Sequence, residues 1–197
     1  MKKFTTVTSS LASLLLFTLP FIVLAHTGVG ATTGFSHGFW HPFSGIDHML
    51  AMLGVGVWAS QLSGRRRFLV PAAFVGTMQI GGIFGMAHVP FPMVELGIAG
   101  SVIAVGMLMA LEMKMKTVYA ALLVGLMAFF HGHAHGTEIP LAASGALYAA
   151  GFTFSTICLH VFGVALGDAL RSLWQQKVLR AVGVATAVAG FVLLLGA

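Results

Sequence analysis

The sequence predicts an all-α integral membrane protein, a bundle of six transmembrane helices behind a cleaved N-terminal signal peptide. Three observations carry this. The chain of 197 residues is 58% hydrophobic and only 8% charged, where a soluble domain holds about 25% charged residues. Six long apolar runs follow one another, at about 38–62, 68–89, 92–112, 117–135, 141–166 and 178–196. The basic residues fall in alternate loops between those runs, as orientation in a membrane requires.

The first element is the leader. Lys2 and Lys3 form a basic start, Leu11 to Leu24 an apolar stretch, and Val23 and Ala25 the small positions before a cut. Residues 1–25 therefore read as a secretory signal peptide, leaving 26–197 as one transmembrane domain with His26 at its new N-terminus. An uncleaved first helix is the alternative. Each later run is near the roughly 20 residues that cross a hydrocarbon core as a helix. Helices satisfy their own backbone groups where lipid offers no partner, and the runs lack the short alternating pattern of a β-barrel.

The loops give the orientation. With the mature N-terminus outside, Arg65, Arg66 and Arg67 fall inside, as do Lys114, Lys116, Arg171, Lys177 and Arg180. The outward loops HVPFPM and HGTEIP hold no Lys or Arg. This places the chain in a bacterial inner membrane with both mature termini periplasmic. In this setting the net charge of +5 reports topology, not nucleic-acid binding; lipid is the surrounding partner. Trp40 and Trp58 bracket span one as interface anchors. Glycines at small-xxx-small spacing, such as Gly81 with Gly85 and Gly132 with Gly136, suit close helix packing. Homo-oligomerisation is left open.

The nine histidines carry the chemistry. His26, His37, His41, His48, His88, His131, His133 and His135 map to the outer half; His160 alone lies deeper. In span one, His37, His41, Ser44 and His48 are spaced four, three and four apart, which puts them on one face of a continuous helix. Asp47 is one residue off that face, and Pro42 suits a first helical turn. In span four, His131, His135 and Glu138 share a face, and His133 points elsewhere unless Gly132 and Gly136 loosen the backbone. Imidazole with carboxylate suits divalent nickel, copper, zinc or iron. Cys158, the single cysteine, excludes an intramolecular disulfide and a CxxC site; it reads as a buried, inert side chain. Met49, Met52 and Met86 lie near the histidines, where methionine is ordinarily packing.

Bland readings stand beside these. His37 or His88 alone is more simply a hydrogen-bonded interface histidine. His160 is equally a satisfied core histidine or a step on an inward path. His26 could chelate through its ring and new α-amino group only if the cut follows Ala25. Glu95 and Glu112 read as solvated span ends, and Asp168 as capping the inner loop with Arg171. The two outer clusters together point to metal contact, and an acidic residue inside a membrane marks a site by default.

At these residues the chain resembles the HupE/UreJ family of bacterial membrane proteins. The resemblance rests on HTGVGATTGFSHGFWHP from His26, on HPFSGIDHMLAMLGVGVWA at 41–59 and on FHGHAHGTE at 130–138, and it covers essentially the whole chain. It implies a permease for nickel, or cobalt next, that supplies hydrogenase, urease or cobalamin assembly. It carries functional roles to His41, Asp47, His48, His131, His133 and Glu138. It implies no permanent cofactor, the ion being cargo, and secondary or facilitated transport. An intramembrane zinc hydrolase, with Asp47 or Glu138 as base, and a haem-binding membrane protein are the alternatives.

Imidazole ligands bind metal in their neutral form. Metal uptake is therefore expected to fall as external pH drops through about 6.5, the ordinary histidine value. Uptake that stays flat between about pH 7.5 and about 5.5 contradicts histidine ligation.

Overall fold

A computed structural model describes residues 34–139, 144–174 and 176–196, and every regular element among them is helical. The expected signal peptide at 1–25 and His26 lie outside the described residues. The elements are α1 (Gly34–Trp40), a 3₁₀ turn (His41–Phe43), α2 (Ile46–Gln61), α3 (Arg66–Met86), α4 (Val94–Ala110), α5 (Thr117–Thr137), α6 (Gly145–Trp174) and α7 (Gln176–Gly196).

The expected continuous helix over 38–62 is broken. Pro42 is the second residue of the 3₁₀ turn, where its missing N–H goes unneeded. Gly45 is extended, with φ −113° and ψ 126°, and α2 begins after it. The first turn of α2 leaves N–H groups without intrahelical partners; Asp47 Oδ1 accepts one of them, from His48 N, at 2.8 Å. The four-three-four spacing from His37 to His48 therefore does not define one face. The fifth run becomes the longest element: α6 has 30 residues and spans roughly 45 Å.

Helices α3, α5, α6 and α7 are each long and apolar enough to cross a membrane, and α4 is a shorter apolar helix. The surface they present is apolar. Phe68, Leu122, Val161 and Leu195 are exposed, while several histidines, serines and threonines are buried beside an apolar core. In water such large apolar patches would drive association; in lipid they are the natural outer face.

Three intimate pairs make the bundle, α3 with α5, α4 with α7, and α2 with α6; α1 lies along the start of α6. Lipid supplies no hydrophobic drive between helices, so close backbone approach must hold them. Glycine permits it. A Cβ on Gly132 would strike the Met78 carbonyl, one on Gly85 the His133 carbonyl, and one on Gly56 the His160 carbonyl. Gly106 and Gly183 likewise face backbone across α4 and α7. These registers make α2 parallel to α6 and α3 parallel to α5, with α4 antiparallel to α7.

One end of the bundle gathers the basic loops. Arg67 pairs with Asp168, and Arg180 with Glu112 at 2.6 Å. Arg66 donates to Met115 O at 3.1 Å and Arg171 to Ser60 O at 2.8 Å. Asp168 thus pairs with Arg67 and not with Arg171, because the two-turn extension of α6 brings it beside the start of α3. Trp58 is no interface anchor: it is fully buried and donates to Met113 O at 3.0 Å. Cys158, expected to be buried, is exposed. Glu95 is exposed as expected, whereas Glu112 is ion-paired.

Gly132→Ala is expected to destabilise the α3–α5 pair by about 1–3 kcal/mol or more, the cost of overpacking. Gly100→Ala, which meets nothing within 4 Å, is expected to be neutral or slightly stabilising. Thermal unfolding of the two variants in detergent separates them; equal melting temperatures contradict the packing account.

Candidate metal site

The histidine end lies opposite the basic end. The 3₁₀ turn contributes His41, the first turn of α2 Asp47 and His48, and the last turns of α5 His131 and His135, with Glu138 directly after the helix. A spacing of four keeps His131 and His135 on one face of α5. Ser101 on α4 and Tyr148 and Phe152 on α6 close the sides.

The rings meet. Ring centroids are 4.1 Å apart for His48 and His135, 4.7 Å for His41 and His135, and 5.1 Å for His48 and His131. One ligand atom from each of His41, His48 and His135 lies within 4.8 Å of the others. Three nitrogens sharing one ion, with bonds of about 2.0–2.1 Å, stand about 3.3–3.6 Å apart. Each pair therefore has to close by up to about 1.5 Å for all three to meet on one ion.

Carboxylates flank the rings. Glu138 Oε2 is 2.9 Å from His41 Nε2 and 3.7 Å from His135 Nδ1. Asp47 Oδ1 is 3.5 Å from His48 Nδ1. The imidazoles of His135 and then His41 hold the Glu138 carboxyl well below the usual carboxylate range, so it stays anionic. Carboxyl groups beside the imidazoles offer the charge that would balance a divalent cation.

The hydrogen bonds set the tautomers. Ser101 Oγ donates to Ile98 O at 2.6 Å, so it accepts from His131 Nε2–H at 2.8 Å. His131 Nδ1 then has a bare lone pair and accepts from His48 Nδ1–H at 3.2 Å. This leaves the lone pair of His48 Nε2 free to ligate. His135 is buried, and neither of its ring nitrogens has a hydrogen-bond partner among the described residues. A buried polar group without a partner is destabilising; a cation supplies one.

The other expected residues stand apart. His133 Nε2 bonds Val89 O at 2.8 Å and packs beside Phe91, which fastens the loop after α3. His88 is exposed, with φ 51°, and ends that helix. His37 is exposed, its ring 6.4 Å from that of Tyr148. Sequence reasoning missed Ser101 and Tyr148, since one serine or tyrosine in an apolar helix gives no periodic signal.

A family model for "HupE / UreJ protein" matches residues 14–193. The chain belongs to the HupE/UreJ family. It is 45% identical over 194 residues to Protein HupE of Rhizobium leguminosarum bv. viciae, covering 98% of this chain and 100% of that one. No solved structure matches it. Family and helices together make this a multi-pass membrane protein. Every residue of the histidine cluster in this HupE/UreJ protein lies within the matched range.

Nickel binding to the solubilised protein is expected to weaken at least about tenfold in His48→Ala and in His135→Ala, and to stay near native in His88→Ala. Ser101→Ala, which frees the His131 ring, is expected to lose roughly 10-fold or more, the range for groups that orient a ligand. Equal affinities for all four variants by titration calorimetry contradict the assigned cluster.

Proposed function

We propose that this HupE/UreJ protein is a permease for a divalent transition-metal ion, nickel first and cobalt next, and not an enzyme. The observation that carries the reading is the cluster of His41, His48 and His135 between two carboxylates. It sits at the end of the bundle away from the arginines and lysines. Imidazole and oxygen donors suit both ions, which are neighbours in the affinity series.

In this reading α2 to α7 are six membrane passes, with α1 and the 3₁₀ turn completing the first. The basic end faces the cytoplasm of a bacterial inner membrane, and the cleaved leader leaves the histidine end and both termini outside. His41 and Glu138 form the mouth. His41, His48 and His135, with Asp47 beside them, strip water from the ion and take its place, while His131 holds the His48 ring. Affinity must stay moderate, because a site that holds too tightly cannot pass its ion on. Transport is secondary or facilitated, and the delivered metal serves hydrogenase, urease or cobalamin assembly.

Uptake into proteoliposomes, comparing nickel, cobalt and zinc, tests this. Nickel or cobalt is expected to enter with the native protein, and entry is expected to fall at least about tenfold with His48→Ala, a loss in line with removing one ligand. A native protein that binds metal tightly but carries none across contradicts the permease reading.

A further inference from the structure

A second set of donor atoms lies inward of the histidine cluster. Thr156 Oγ1 on α6 is 3.5 Å from Met52 Sδ on α2 and 3.8 Å from Met78 Sδ on α3. Its hydroxyl hydrogen goes to Phe152 O at 2.9 Å, the usual back-bond of a helical threonine. With that hydrogen on Phe152 O, two thioether sulfurs and one hydroxyl oxygen converge as donor atoms. All three residues are buried.

His160 stands one turn further along α6, on the same face as Thr156. It is 2% exposed, and neither ring nitrogen has a hydrogen-bond partner among the described residues. Its ring meets Phe74 edge-on at 5.0 Å, and Phe74 in turn lies 5.9 Å from the ring of His131. One aromatic ring thus touches both levels. Met52 follows His48 by one turn of α2, and a cavity of about 170 Å³ is lined by both His135 and Met78. Donors succeed one another at steps of about 6 Å, four residues of helix.

We propose that His160, with the thioethers of Met52 and Met78 and the hydroxyl of Thr156, is a second, inner station for the same divalent cation. Resting on the permease reading, it gives the ion a place to go on leaving His48. Thioether donors bind nickel and cobalt more weakly than imidazole, so this station releases inward more readily than the outer cluster.

The test uses the full chain, Ni²⁺ as probe, and two readouts: ions bound per chain at equilibrium, and nickel flux into proteoliposomes. The native protein is expected to bind two ions. His160→Leu is expected to bind one, with the outer site retained and flux reduced at least about tenfold. The volume-conserving pair Met52→Leu with Met78→Leu is expected to do the same, and it decides the matter if His160→Leu does not fold. A count that these variants leave unchanged overturns the station, and native flux alongside it leaves the permease reading standing. A count that falls from two to one in a protein with no flux upholds the station and removes the permease reading.

Discussion

Imidazole rings buried where neither water nor lipid can bond them are the constraint on which the rest of this structure depends. Lipid gives no partner to a polar group, so each ring must find one inside the bundle or wait for an ion. His131 is fully buried and leans on Ser101 and His48. His41 leans on Glu138. Among the described residues, neither His135 nor His160 has a hydrogen-bond partner for its ring nitrogens. The rings that lack partners lie at the two levels where metal would be held, while His133, which has one, is turned to a loop.

Holding these rings within ligand distance demands that helices approach more closely than ordinary side chains allow. Glycine meets that demand. Gly81, Gly85, Gly132 and Gly136 let α3 and α5 touch along their backbones. This sets the face of α5 that carries His131 and His135. Gly56 and Gly163 do the same for α2 and α6, aligning His48 and Met52 with Tyr148, Phe152 and Thr156. The arginine ties at the far end lock the same helices. Packing and chemistry are therefore one arrangement: an added methyl group at Gly132 moves a ligand as surely as a substitution at His135.

Much of this was legible in the residues. Long apolar runs mark the helices, because a lipid-facing helix needs no polar face. Charge segregation marks the two ends, and spacings of four and three place His131, His135 and Glu138 together. Other features were not legible. The break at Pro42 and Gly45 depends on a tertiary fit that turns His41 under Glu138, and a proline near a helix start is compatible with either form. Trp58 looks like an anchor by position and is buried because α4 ends beside it. Asp168 could not be matched to Arg67, a partner 101 residues away. The direction of His133 was ambiguous only until the glycines around it proved regular helix, which turns it away from the face of His131. Residues 1–25, expected to form a leader, and His26 lie outside the described residues.

The most direct test of the convergence of His41, His48 and His135 on one ion is X-ray absorption at the nickel edge, with one equivalent of metal on the native protein. A first shell containing about three imidazole nitrogens at about 2.0–2.1 Å is expected, with one of them lost in His135→Ala. A shell of oxygen alone, or one that His135→Ala leaves unchanged, contradicts it.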